Sequence, residues 1–138
     1  MLRFCRTDLF GLVLICALYA PVTQASAFEL SGAWASQSDL CNLVFIKKGG
    51  EVIFAELSDL YGSGFVIDGN RIMGKAARCT IESKKQDGNS LTISAACATS
   101  IMNQNMKFNV KIIDDDTLSR EFDEVPGMTV NYSRCKKL

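Results

Sequence analysis

Histidine is missing from this chain altogether, and with it the imidazole base that serine and cysteine nucleophiles usually need and the commonest zinc ligand. No Cys-x-x-Cys pair occurs among the cysteines at positions 5, 16, 41, 79, 97 and 135. That spacing speaks against a redox-active dithiol and against a zinc knuckle, both of which need closely paired thiolates. Charge of one sign is not in excess either. Fifteen basic residues face fifteen acidic ones without a basic block, which argues against nucleic acid and anionic membrane surfaces as partners. The longest apolar run, Leu9 to Ala20, is about a dozen residues, well short of the roughly 20 needed to span a bilayer. Amphipathic helices of useful length, linkers, repeats and low-complexity tracts are absent as well.

What is present begins with an address label. Arg3 and Arg6 precede the run "LFGLVLICALYA", and Ala25-Ser26-Ala27 offers the small residues that a signal peptidase accepts. Residues 1–27 are expected to be a cleaved leader, and residues 28–138 a single domain in the periplasm or outside the cell. The Ala-rich cleavage region has a bacterial character. Cys16 follows Leu14 and Ile15 and lies within the apolar run, which speaks against a lipoprotein anchor. The leader takes Arg3, Arg6 and Asp8 with it, so 111 residues remain with 13 basic and 14 acidic side chains, a net of −1. No span of the mature chain is expected to cross a membrane.

Cleavage leaves four cysteines in a short exported domain, and hence two disulfides with three possible connectivities. In "RCTIESKKQDGNSLTISAAC" the turn residues Asp87-Gly88-Asn89 sit at the centre, and Cys79 and Cys97 each lie nine residues from Gly88. A hairpin closed by those three residues sets the two cysteines opposite each other, with Ile81 on one strand and Ala95, Ile93 and Leu91 on the other sharing their face. The pairing Cys79–Cys97 follows, which leaves Cys41–Cys135 to tie the early chain to its end.

The rest reads as strands. "CNLVFIKK" and "EVIFAEL" flank Gly49-Gly50, a hairpin signal, and Asp68-Gly69-Asn70 separates two further β-rich pieces. "MKFNVKI" alternates, with Met106, Phe108, Val110 and Ile112 inward. Leu118, Arg120 and Phe122 share one face, as do Met128, Val130, Tyr132 and Arg134. Only Cys97 to Asn105 is ambiguous, with a helical turn as one option. Eight to ten short strands at turn spacings near ten residues predict an all-β antiparallel sandwich or barrel, and closure would remove the exposed edges of such a sheet.

The stretch "LSGAWASQSDLCNLVF", residues 30–45, resembles the start of lipocalin-like (calycin) barrels, whose first strand carries a Gly-x-Trp element. It is still more similar to the opening of the bacterial metalloprotease-inhibitor family, small eight-stranded periplasmic barrels. That family's Leu-x-Gly-x-Trp and later Cys-x-Leu correspond to Leu30, Gly32, Trp34, Cys41 and Leu43. The resemblance implies a single up-and-down barrel. It also implies that an arginine near the chain's end packs on the tryptophan, with Arg134 the candidate and Arg120 second. On physical grounds Trp34 can plug one end of a barrel, while Gly32 lets the chain pass close to its neighbours. Gly32, Trp34 and Arg134 are therefore expected to form a structural plug.

Sequence motifs for catalysis are weak, and the chain reads as a non-enzyme without cofactor or metal. "YGSGF", Tyr61 to Phe65, lacks the lysine of a phosphate loop. Asp114 to Asp116 lacks the spacing of a calcium loop. Glu121, Asp123 and Glu124 fall on a wet surface. Asn131-Tyr132-Ser133 is a glycosylation sequon, meaningful only in a eukaryotic secretory pathway. Two function classes remain. One is a non-catalytic envelope module that binds a small apolar ligand or a protein partner, with Phe54, Tyr61, Phe65 and Phe108 as its rim. The other, implied by the resemblance, is an inhibitor of a secreted protease that acts through Phe28, Glu29, Leu30 and Ser31.

Overall fold

Glycine-centred turns cut the chain into short strands, most of which pair with their neighbours in sequence. The computed structural model describes residues 27–138, so apart from Ala27 the expected leader lies outside the described residues. The strands are β1 (Gly32–Ala35), β2 (Phe45–Lys48), β3 (Glu51–Phe54), β4 (Gly64–Asp68), β5 (Arg71–Met73), β6 (Arg78–Asp87), β7 (Ser90–Ala98), β8 (Asn103–Asp114), β9 (Thr117–Glu121) and β10 (Thr129–Arg134). Eight of them close an antiparallel barrel in the order β1-β10-β9-β8-β7-β6-β5-β4, while β2 and β3 form a separate hairpin. The expected all-β, up-and-down barrel is therefore the fold. Its seam is the junction of the first and last strands, which pair only through Trp34 with Arg134 and Ala35 with Ser133.

Alternation sorts the side chains into two apolar groups. Leu30, Trp34, Ile67, Ile72, Ile81, Leu91, Ile93, Leu118 and Tyr132 fill the interior, with Met106, Phe108, Val110 and Ile112 of β8 packed against them. A second group lies on the outer wall. The excursion between β1 and β4 contains 3-10 turns at Ser38–Leu40 and Ser58–Leu60, the short α1 (Cys41–Val44) and the β2–β3 hairpin. It presses Val44 and Phe45 onto the small outward residues Ala33 and Ala35 and onto Val66. Gly64 permits this approach. A Cβ there would lie 2.6 Å from the Trp34 carbonyl oxygen and 2.7 Å from the Phe45 ring, closer than packed atoms can sit.

Both expected disulfides are present. Cys41–Cys135 pins the excursion to the end of β10, and Cys79–Cys97 bridges β6 and β7. Cys79 faces Cys97 directly, yet Asp87 pairs with Ser90, so the loop is the two residues Gly88-Asn89 and not the expected three. A register shift between Ile81 and Ser83 restores the cysteine pairing, because one extra residue in a bulge offsets one residue fewer in the turn. Beyond that bulge β6 is polar and exposed on every residue from Glu82 to Asp87.

The ambiguous segment after Cys97 is not helical. β7 runs to Ala98 and β8 begins at Asn103. The turn between them is held by Thr99, whose Oγ1 accepts the backbone N–H groups of Ile101 at 3.4 Å and Met102 at 3.2 Å. A short polar side chain that satisfies backbone donors locally favours a turn over a helix.

Candidate functional site

The two ends of the barrel are built differently. At the closed end Trp34 is fully buried, and its Nε1 donates to the Leu30 carbonyl at 2.9 Å. The Arg134 guanidinium lies 4.2 Å from the centre of the Trp34 ring. Arg134 also donates to the carbonyls of Ser31 and Glu29, both at 2.6 Å, and to that of Asp115 at 3.2 and 3.3 Å. Gly32, at φ +131°, leaves room for this, since a Cβ there would sit 3.3 Å from Arg134 Nη1. Phe28 adds a second ring 6.2 Å from that of Trp34. The Glu29 carboxylate accepts the Ser31 N–H at 2.7 Å, a bond that holds its pKa below the usual carboxylate value. The acidic run ends in Asp116, which faces Arg134 at 3.6 Å and Lys136 at 2.5 Å. Asp114 accepts the Asp116 backbone N–H at 2.9 Å, so this run shapes the β8–β9 turn.

Above that plug the barrel is not filled. A cavity of about 200 Å³ is lined by Phe65, Ile93, Phe108, Leu118, Arg120 and Tyr132, with smaller contributions from neighbouring strands. It is close to the 150 Å³ of a cavity that takes up benzene and below the range of about 300 Å³ upward typical of drug-sized ligands. Phe65 stacks on Trp34 at 6.4 Å and meets Tyr132 edge-on at 4.9 Å. The one charged group in the wall is Arg120. It sits opposite Val110 on β8 and Val130 on β10, both packed against the interior group. Its guanidinium carbon lies 4.8 Å from the Phe108 ring centre and 4.2 Å from that of Phe122. Its Nε is buried and has no hydrogen-bond partner among the described residues. That is unusual, since buried donors in proteins are nearly always paired.

The connections at the cavity end carry most of the large apolar side chains left in solvent. Leu57, Leu60 and Tyr61 precede β4, Ile101 and Met102 join β7 to β8, and Val125 and Met128 join β9 to β10. An ion pair between Lys75 and Asp59 links the turn after β5 to the excursion. The Lys75 hydrogen bond lowers the pKa of Asp59.

The expected rim is divided by the structure. Phe65 and Phe108 line the cavity. Phe54 does not join them, because β3 belongs to the outer hairpin, where Phe54 packs on Phe45 at 5.0 Å. Tyr61 lies exposed beside Gly62. Arg120, the second candidate for the tryptophan ring, is instead held by Phe108 and Phe122. Phe28 to Ser31 run across the closed end, with Leu30 buried. Reading along the sequence did not identify Arg120 as a cavity residue. The available signal was its inward phase with Leu118, an unusual place for a guanidinium. Among the described residues no cluster of three or more metal-ligating side chains occurs, and no helix is long and apolar enough to cross a membrane.

The fold and the cavity together define a small closed β-barrel with an apolar internal chamber and one inward cation. No family model, curated protein or solved structure matches the chain.

Proposed function

We propose that this protein is an exported, non-catalytic binding module of the cell envelope and that its barrel interior holds a small apolar or amphipathic molecule. The observation that carries this reading is the chamber of about 200 Å³ above Trp34. A barrel of this size can be filled by its own side chains, yet this one keeps room beside Phe65, Phe108 and Tyr132. Apolar loops around the same end would ease entry of a poorly soluble guest. The lipocalin-like character of the opening stretch is in keeping with that role.

The test is uptake of toluene by the oxidised protein, followed by thermal shift and by calorimetry. Toluene should raise the Tm in a saturable manner, and Val110→Phe, which adds a ring to the chamber wall, should remove the effect while preserving the fold. A wild-type protein indifferent to toluene would count decisively against an internal guest site.

The protease-inhibitor reading draws on the same opening motif. Its proposed segment, Phe28 to Ser31, is occupied in the plug, where Arg134 clamps two of its carbonyls. Entry into a protease cleft would require those contacts to break. Stoichiometric loss of activity of a secreted metalloprotease on titration would restore this alternative.

A further inference from the structure

We propose that the outer wall of the barrel carries a binding groove over β5 to β8 that takes an acidic oligosaccharide, a short sugar chain bearing carboxylate or sulfate groups. Alternation buries Cys79, Ile81, Ala95 and Cys97, so Arg78 and Thr80 of β6 and Ala96 and Ala98 of β7 face outward. The registers set the outward residues in two rows across four strands. Met73, Arg78, Ala98 and Asn103 form one row, and Arg71, Thr80, Ala96 and Asn105 form the other. Both rows have alanine on β7, with longer side chains from β6 and β8 on either side of it. The result is a concavity of about 590 Å³, within the range of about 300–1,000 Å³ of small-molecule sites. Four strands about 4.8 Å apart span about 14 Å, which is room for about two or three sugar rings laid across them.

The lining sets the chemistry. It includes Arg71, Arg78, Asn103 and Asn105 and no acidic side chain. Both arginines are exposed. Arg71 Nη2 donates to Asp68 at 2.8 Å. Arg78 enters none of the ion pairs among the described residues, and its Nη1 reaches Met73 Sδ at 3.7 Å. A guanidinium has five N–H donors in a planar fork, so both keep donors for the oxygens of a carboxylate or sulfate. The carboxamides of Asn103 and Asn105 both donate and accept, which matches the hydroxyl groups of a sugar. An acidic peptide strand suits this face poorly. Strands β5 to β8 are paired on both sides within the closed sheet, so an extended peptide finds no free edge for its own main chain. Single-stranded nucleic acid draws on aromatic platforms for its bases, and no aromatic side chain lines the groove. An acidic sugar chain needs neither an edge nor a stacking ring.

The test compares acidic sugars with a neutral one at physiological ionic strength, where weak surface attraction is screened. Trigalacturonate, which carries carboxylates, and a heparin tetrasaccharide, which adds sulfates, are titrated against maltotriose, using the full chain expressed with its leader and recovered oxidised. At least one acidic sugar should bind about tenfold or more tightly than maltotriose, and the one that does so identifies the anion. The amide resonances of Ala96, Ala98 and Asn105 should move on binding. Arg78→Gln should weaken binding about tenfold, and Ala98→Glu, which sets a carboxylate on the floor of the groove, should abolish it. Lys111→Gln removes a cation opposite Ser90, at the far end of β7, and should leave binding unchanged. The sheet separates the groove from the interior chamber, so uptake of toluene is expected to be the same in all three variants. Equal affinity for maltotriose, failure of both acidic sugars to bind at millimolar concentration, amide shifts away from the groove, or equal losses in Arg78→Gln and Lys111→Gln overturns the assignment. Tighter binding of tetrathymidylate or of an oligoglutamate peptide also overturns it, in favour of nucleic acid or an acidic protein segment.

Discussion

Arg134 and Arg120 stand on neighbouring strands of one barrel and both rest on aromatic rings, but their remaining donors meet opposite circumstances. Arg134 spends its guanidinium on the main chain, donating to the carbonyls of Glu29, Ser31 and Asp115 while it covers Trp34. Arg120 is held between Phe108 and Phe122 and has a buried Nε without a partner. The same side chain thus serves as a fastener to the main chain at the closed end and is held only by aromatic rings at the other.

That contrast can be broken experimentally. The largest effect is expected next to Arg134, at the Cys41–Cys135 bridge, which joins residues 94 apart in sequence. Replacing both cysteines with serine should cost about 4–5 kcal/mol, read from the urea midpoint, and a loss below about 1 kcal/mol would show that the closed end does not depend on it. Arg134→Met should cost about 2–4 kcal/mol, because carbonyls of the plug lose a charged donor and Trp34 loses its cation. Arg120→Met should change stability by no more than about 1 kcal/mol, since it forfeits two ring contacts and no ion pair among the described residues. If both arginines cost the same, the two ends do not differ as described.

The smallest effect concerns pH. Lys75 holds the pKa of Asp59 below its usual value, so the stabilisation from this pair is complete above the ordinary carboxylate range and fades as pH falls through the lowered value. Protection factors of the amides in the turn from Gly74 to Ala77, taken relative to the intrinsic exchange rate at each pH, should therefore fall in acid, and Asp59→Asn should make those factors insensitive to pH there. A change of the opposite sign would mean that the pair does not restrain the open end.

Much of this architecture was legible before any coordinates. Alternation in β8 and in Leu91, Ile93, Ala95 and Cys97 marks the interior because a half-buried strand leaves a period of two. Cysteine pairing was also readable, although by a route that differs in detail, since the bulge at Ile81–Ser83 and the shorter turn cancel. A register shift of that kind leaves no compositional trace. Phe54 was misplaced for a related reason. A hairpin that packs on the outside of a barrel has the same apolar pattern as one within its wall, and only the small outward residues Ala33 and Ala35 hint that something covers them. Arg120 was visible on the inward face, but whether an inward arginine is satisfied depends on partners distant in sequence.

The seam between β1 and β10 has a consequence for how the molecule comes into being. Strands β6 to β10 can assemble in order as the polypeptide emerges, each on the one before it. The ring itself cannot shut until the last few residues are free to reach back to the first strand. Until β10 is available to pair with β1, the chain can form only an open sheet. Arg134 and Cys135, side by side at that late-arriving end, are placed to act as the latch.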